Sequence, residues 1–336
     1  MSSLSADTFT FDPRPNYPLR TVAKRYRFTG FDASQDPNAV TLIFAHATGY
    51  HKECWEPTLQ HLAHNGRLKI REAWSIDCPN HGDAAILNEK ELLWGYDQYF
   101  GWVSDYGFIL HCFLTGYGTG VDVDFSKHRL VGIGHSMGAI SILTTPTFQP
   151  KVKYQALILV DPMLMAAPFE HDMGNFLSKG AQVRRDIWPS KAHAHQAFAS
   201  RPAFKSWDPE VLRLYVEYGL RPLPTAQYPD KIEGVTLTCT KKQEVACYED
   251  FNGRKIAYRY LKHACLVQPV HIIYGAINDY LKKEVHQDVI DVAADGRLAS
   301  VQRVAGAGHL VVQMAPKGLA DAIALALTRK EPLSKL

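Results

Sequence analysis

The stretch Gly134-His135-Ser136-Met137-Gly138 holds the residues best arranged for covalent chemistry. A serine hydroxyl is a weak nucleophile until a neighbouring base takes its proton. The pattern G-x-S-x-G sets such a serine in a sharp turn between a strand and a helix. Here it follows the apolar run Arg129 to Ile133 and precedes Ala139 to Leu143, where composition predicts a helix. The glycines leave room where bulkier side chains two residues away would collide with a strained serine. The same turn points the Ser136 hydroxyl off the sheet and aims the Met137 N–H at a developing oxyanion. The pentapeptide alone is weak; its place between strand and helix gives it weight. The chemistry implied is attack of Ser136 on an acyl carbonyl.

That attack needs a base, an acid to orient the base, and a second oxyanion donor. The candidate base is His309, in Ala305-Gly306-Ala307-Gly308-His309, just past the last predicted strand. With fifteen histidines in the chain, a surface-loop histidine is the bland alternative. Position decides for catalysis, because the order serine, acid, histidine ends with a histidine after the final strand. Two carboxylates compete as the acid. Asp161 closes the strand after the serine turn, in LILVDPM, and Asp279 follows the next strand, in IIYGAINDY. Either could fix the imidazole tautomer. Asp161 could equally cap a turn, and Asp279 could be an exposed loop carboxylate, so the residues leave the two level. The second donor is expected in the loop His46-Ala47-Thr48-Gly49, at the Thr48 N–H. This scheme needs no metal and no organic cofactor.

These groups must be held by a framework, and the chain alternates accordingly. Strands are predicted at Thr21 to Phe28 (an edge strand after a Pro-rich lead-in), Ala39 to Phe44, Leu68 to Ile76, Arg129 to Ile133, Ala156 to Val160, Val270 to Tyr274 and Ser300 to Val304. Helices are predicted after Trp55 with a stop at Asn65-Gly66, over Tyr96 to Phe113, Leu281 to Ala294 and Pro316 to Thr328. Strands alternating with helices imply an α/β fold with a mainly parallel central sheet. The rhythm breaks between Pro162 and Val267, where helix signals occur with few clear strands; Asp208-Pro209 is the best helix start there. A segment that long is too large for a structureless loop. The expected division is a core of residues 1–161 and 268–336 with a helical lid, or cap, at 162–267.

Composition excludes several function classes. The 336 residues are 46% hydrophobic and 21% charged, with a formal charge of +3, which gives no reason to expect nucleic-acid binding. No apolar run reaches the ~20 residues that span a bilayer, and the first residues lack the pattern of a secretory signal. Six scattered cysteines without a CxxC pair suggest reduced thiols. His193 and His195 lack a third ligand placed by spacing, so no metal site is expected. Arg184, Arg185, Lys241, Lys242, Arg254 and Lys255 read as solvated helix faces, and secondarily as groups that could hold an anionic substrate. A homodimer is compatible with the sequence. The last residues, Ser334-Lys335-Leu336, match the address read by the peroxisomal import receptor, on a polar tail.

Two other function classes use the same residues. Gly132, Gly134 and Gly138 with Asp161 imitate the dinucleotide fingerprint of an NAD-dependent oxidoreductase. Against it, the motif does not open the fold, and Ser136 sits at its centre. A non-catalytic binding protein on the same fold is the other alternative.

At HATGYHKECWEP (His46 to Pro57), GIGHSMGA (Gly132 to Ala139), ILVDPM and the terminal SKL, the chain resembles a fungal group of peroxisomal α/β-hydrolases. That group includes a peroxisomal lipase, host-selective-toxin biosynthesis hydrolases and the mycophenolic acyl-CoA hydrolase. The resemblance implies the α/β-hydrolase fold and a peroxisomal acyl-CoA hydrolase (thioesterase) of secondary metabolism, with a lipase or carboxylesterase as the alternative. It also implies that the acid is Asp161, which matches the group's acid after the strand following the serine turn.

Overall fold

The computed structural model describes residues 4–28, 33, 36–66, 68–96 and 102–328. The Ser334-Lys335-Leu336 tail lies outside them. In chain order the strands are β1 (Leu4–Phe11), β2 (Thr21–Phe28), β3 (Val40–Ala45), β4 (Ile70–Ile76), β5 (Arg129–His135) and β6 (Tyr154–Val160), then β7 (Ile187–Trp188), β8 (Leu220–Pro222) and β9 (Val235–Leu237), and finally β10 (Val270–Gly275) and β11 (Ser300–Val304). Eight form one sheet in the order β1-β2-β4-β3-β5-β6-β10-β11. From β4 to β11 every pairing is parallel, and β1 and β2 add an antiparallel margin. Strands β3, β5, β6 and β10 read as continuous apolar runs because both faces are covered.

Helices Trp102–Thr115, Met137–Thr144 and Phe251–Val267 pack on one face, burying Ile109, Leu110, Ile140, Ala257 and Leu261. Helices Glu56–Asn65 and Pro316–Thr328 cover the other with Leu59, Leu62, Leu319 and Ile323. Each such large aliphatic side chain contributes roughly 1.5–3 kcal/mol by leaving water. The expected helix stop at Asn65-Gly66 is real, since Gly66 takes φ +64° after the last helical residue.

Two expectations change. The lead-in before Thr21 is itself strand β1, paired with β2 along its whole length, so β2 is not an edge. Most of β1 is exposed, which explains why its burial pattern leaves little trace in LSADTFTF. Residues 162–267 are also not helical throughout. Strands β7, β9 and β8 make a small antiparallel sheet. It shares a separate apolar cluster with Trp188, Phe198, Trp207 and Tyr215. The helix Phe251–Val267 packs instead on the core helix Met137–Thr144, as a crossover helix leading into β10.

Candidate active site

Strand β5 delivers its last residue into a turn, and Ser136 there adopts φ 55° and ψ −113°. Such a backbone costs a non-glycine residue about 1–3 kcal/mol and persists only where the surroundings enforce it. They do so through close packing. A Cβ on Gly134 would lie 2.2 Å from the Gly138 carbonyl oxygen, and one on Gly138 would lie 2.3 Å from that of Ala45. The Ser136 N–H is tied to the Val160 carbonyl at 3.0 Å. Met137 follows as the first residue of the helix Met137–Thr144.

The His309 ring joins Ser136 to Asp161. Its Nε2 is 3.1 Å from Ser136 Oγ, and its Nδ1 is 2.8 Å from Asp161 Oδ1. An ionised carboxylate can only accept, so Nδ1 carries the proton and Nε2 is left to accept the serine O–H. Asp161 sits at the end of β6 with φ 38°, and its other oxygen accepts the Gly275 N–H at 2.8 Å. Burial by itself would raise the Asp161 carboxyl. The His309 bond and charge and the Gly275 N–H reverse that and hold it below the ordinary carboxylate value.

Asp279 also contacts His309, but at the backbone. Its Oδ1 accepts the His309 N–H and the Tyr280 N–H, each at 2.8 Å. Gly308 makes that approach possible, since a Cβ there would lie 2.0 Å from Asp279 Oδ2. The two carboxylates therefore divide the work: Asp161 meets the imidazole, and Asp279 shapes the loop carrying it. Tyr280 stacks on the ring at 4.8 Å.

Spacing had given no sign of His135. Its Nε2–H donates to the His309 carbonyl at 2.8 Å, from within the G-x-S-x-G turn. Burial, followed by the nearby His309 ring, lowers its pKa to about 3, so it stays neutral. A ring next to Ser136 in the G-x-S-x-G stretch is the available signal, but among fifteen histidines it does not stand out.

Thr48 and Met137 face each other across the same cavity, the Thr48 hydroxyl donating to Met137 Sδ at 3.3 Å. That cavity is lined by Ser136 and His309 with Tyr50, Ile140, Met163, Leu177, Cys247, Tyr248, Tyr280 and Leu310. The lining is mostly apolar and aromatic, as suits an acyl group. Beyond Ala47, Thr48 and Tyr50, the HATGYHKECW loop is anchored by its lysine. Fully buried Lys52 reaches Asp77 at 2.9 Å, Asp83 at 2.7 Å and Glu53 at 3.0 Å, anchoring the loop to the end of β4.

Several expectations do not match the geometry. Both oxygens of Asp161 are engaged inside the protein, and the Gly134–Gly138 turn is closed by backbone, so the dinucleotide reading loses its ribose and pyrophosphate sites. Arg184 is not a solvated helix residue: it is partly buried and paired with buried Glu244. Arg254 is buried, donates to the carbonyls of Asp250 and Tyr248, and lines the cavity. Lys241 stands 3.6 Å from Asp186. Lys242 lies apart from Ser136, on a second cavity with Asn80, Glu89 and Arg221. His193 contacts Ser190 at 2.9 Å, and no cluster of three or more His, Cys, Asp or Glu that could hold a metal occurs among the described residues. The six cysteines are all free. No helix among the described residues is long and apolar enough to cross a membrane.

The family profile described as "Alpha/beta hydrolase family" matches residues 42–322, from β3 to the last helix. The chain belongs to that family. Among curated relatives, this hydrolase-family chain is similar to the type I acyl-CoA thioesterase mpaH of Penicillium brevicompactum. They are 28% identical over 238 residues, which is 65% of this chain and 52% of the relative. It is also similar to the abhydrolase domain-containing protein AFT2-1 of Alternaria alternata, 32% identical over 95 residues, covering 28% and 34% of the two chains. The chain thus spans about half the length of the thioesterases it matches, or less. Among solved structures, the peroxisomal alpha-beta-hydrolase Lpx1 of Saccharomyces cerevisiae shares the fold. Its TM-score is 0.71 at 19% identity, covering 100% of this chain and 92% of that one.

Proposed function

We propose that this α/β-hydrolase cleaves acyl thioesters through Ser136, His309 and Asp161, with acyl-CoA as the substrate class. One observation carries the proposal: Ser136, His309 and Asp161 form a continuous hydrogen-bonded chain opening on a largely apolar cavity. His309 Nε2 takes the Ser136 proton as Oγ attacks the carbonyl carbon. The oxyanion is held by the Met137 and Thr48 N–H groups, a type of stabilisation worth about 3–4 kcal/mol per donor. The tetrahedral adduct collapses, the carbon–sulfur bond breaks, and the imidazolium returns its proton to the leaving thiolate. Water, deprotonated by the same nitrogen, attacks the acyl-serine; the carbon–Oγ bond breaks, the imidazolium returns the proton to Ser136 Oγ, and the acid is released. Asp161 stays ionised throughout, holding the tautomer and balancing the imidazolium.

Three fungal relatives named acyl-CoA thioesterases support the thioester reading over an oxygen ester. The Ser334-Lys335-Leu336 tail supports delivery to the peroxisome, where acyl-CoA esters are met. Residues 162–250 act as the cap over Ser136, with the helix Phe251–Val267 counted to the core. The test compares an acyl-CoA with an oxygen ester of the same acid, using Ser136→Ala protein as the blank. A higher kcat/KM for the thioester is expected. Preference for the oxygen ester would assign the protein as an esterase or lipase, and no turnover of either would remove the proposal.

A further inference from the structure

The loop that carries Thr48 is pinned from behind by two buried histidines. His46 Nδ1–H donates to the Ala47 carbonyl at 2.8 Å, while its Nε2 accepts the Cys78 N–H at 2.9 Å. In a trans peptide the C=O and N–H point in opposite directions. The His46 bond therefore turns the Thr48 N–H away from His46, and Thr48 itself lines the cavity. The next peptide is held by its N–H: Gly49 donates to His81 Nε2 at 2.9 Å. His81 then carries its proton on Nδ1, facing Asn80 Oδ1 at 2.6 Å. The Asn80 amide nitrogen in turn reaches the main-chain and side-chain oxygens of Gln243 at 3.4 and 3.3 Å. The Asn80 amide also reaches Cys247 Sγ at 3.4 Å.

Gln243 belongs to the helix Lys241–Glu249, in the segment inserted after β6. The same helix touches the loop a second time. The Glu244 carboxylate, paired with Arg184 and accepting the Tyr248 hydroxyl at 3.2 Å, lies directly against Gly49. A Cβ at that residue would come within 2.9 Å of Glu244 Oε1, and Gly49 holds φ +82°.

We propose that Gln243, Asn80 and His81 are positioning residues that couple the seating of the cap helix to the oxyanion hole. With the helix docked, the relay fixes the Thr48–Gly49 peptide, and together with the His46 bond on the preceding peptide it clamps Thr48 from both sides, keeping its N–H toward the carbonyl oxygen. With it displaced, Thr48 is held on the His46 side alone and its N–H is aimed less closely. This rests on the Ser136 reading above.

The test uses the full chain with His81→Phe, His81→Gln, Gln243→Ala and the double variant His81→Phe/Gln243→Ala. Phe removes the acceptor for Gly49, whereas Gln keeps one. Loss of a full oxyanion donor slows turnover by about 10²–10³-fold, so His81→Phe should lower kcat by about tenfold or more. KM should stay within about twofold, because the ground-state acyl group is held elsewhere. Affinity for a trifluoromethyl ketone, which forms an oxyanion on Ser136, should fall in step with kcat. His81→Gln should recover most of the rate. Gln243→Ala, which lies outside the core, should lower kcat less, and the double variant should match His81→Phe alone. Unchanged kcat in His81→Phe, no recovery by Gln, or additive losses in the double variant would each overturn the relay. Wild-type turnover abolished by Ser136→Ala, together with an unaffected His81→Phe, removes the relay alone. A wild type without turnover removes the Ser136 reading and the relay with it.

Discussion

At the carboxyl edge of the sheet, the polar side chains are held by backbone. Asp161 takes the Gly275 N–H, Asp279 takes those of His309 and Tyr280, and His135 donates to the His309 carbonyl. In the inserted segment, side-chain pairs stand beside backbone contacts such as those of Arg254 with the Asp250 and Tyr248 carbonyls. Arg184 pairs with Glu244, Tyr248 donates to that carboxylate, and Tyr228 donates to Asp186 while Lys241 stands beside it. Backbone partners come with the fold and survive any single side-chain change. Side-chain partners must be specified residue by residue. The arrangement of Ser136, His309 and Asp161 thus leans on the backbone of the sheet, while several contacts of the insertion depend on particular side-chain pairs.

The sharpest way to break that comparison is to exchange the roles of the two carboxylates. Asp161→Asn should lower kcat by roughly 10⁴-fold through the wrong imidazole tautomer. Asp279→Asn still accepts both N–H groups through its amide oxygen and should cost less than about tenfold, since it acts on the loop and not on the ring. Steady-state kinetics of the pair decide it: a reversed ranking would show that the loop aspartate is the acid.

Stability offers a second contrast. Lys52→Met leaves Asp77 buried without its cation, while Glu53 keeps His51 at 3.0 Å, at a cost of about 3–5 kcal/mol. Arg184→Met also strands a buried carboxylate, but Arg184 keeps 25% of its side-chain surface exposed. Its loss should cost about 2 kcal/mol after solvent screening. Urea unfolding of the two variants should show that order. Equal losses would mean that the insertion is as rigidly specified as the core.

A smaller effect separates the regions by pH. His46 and His135, both in the core, have pKa values near 3, burial being the first cause, against an ordinary 6.5. Between those values the unfolded chain binds protons that the native protein does not. Stability therefore falls as pH drops below 6.5, by about 1.4 kcal/mol per pH unit for each histidine. His135→Gln, which keeps a donor for the His309 carbonyl, should flatten the slope between pH 6 and 5. An unchanged slope would place the neutral histidines elsewhere.

What was legible in the sequence follows the same division. Strands β3, β5, β6 and β10 and the places of Ser136 and His309 could be read because buried runs and a glycine-framed serine leave strong local patterns. Asp161 and Asp279 could not be ranked, because each follows a central strand and only the closed fold shows which one meets the ring. His81 and His135 were hidden, since a buried neutral histidine looks like a surface one until its two nitrogens have partners. The insertion was least legible. Its strands are two or three residues long, too short for alternation to register, and the crossover helix Phe251–Val267 carries no local mark of the face it joins.

The central claim is that Ser136 is the nucleophile because the fold, more than its own chemistry, activates it. Labelling the purified full chain with a fluorophosphonate, and locating the adduct by peptide mass, tests this most directly. The account predicts a single adduct on Ser136 that protects no other residue, forms far more slowly in Asp161→Asn, and is absent in Ser136→Ala together with all but a trace of turnover. An adduct on a different residue, or a Ser136→Ala protein that keeps more than about a tenth of its turnover, would contradict it.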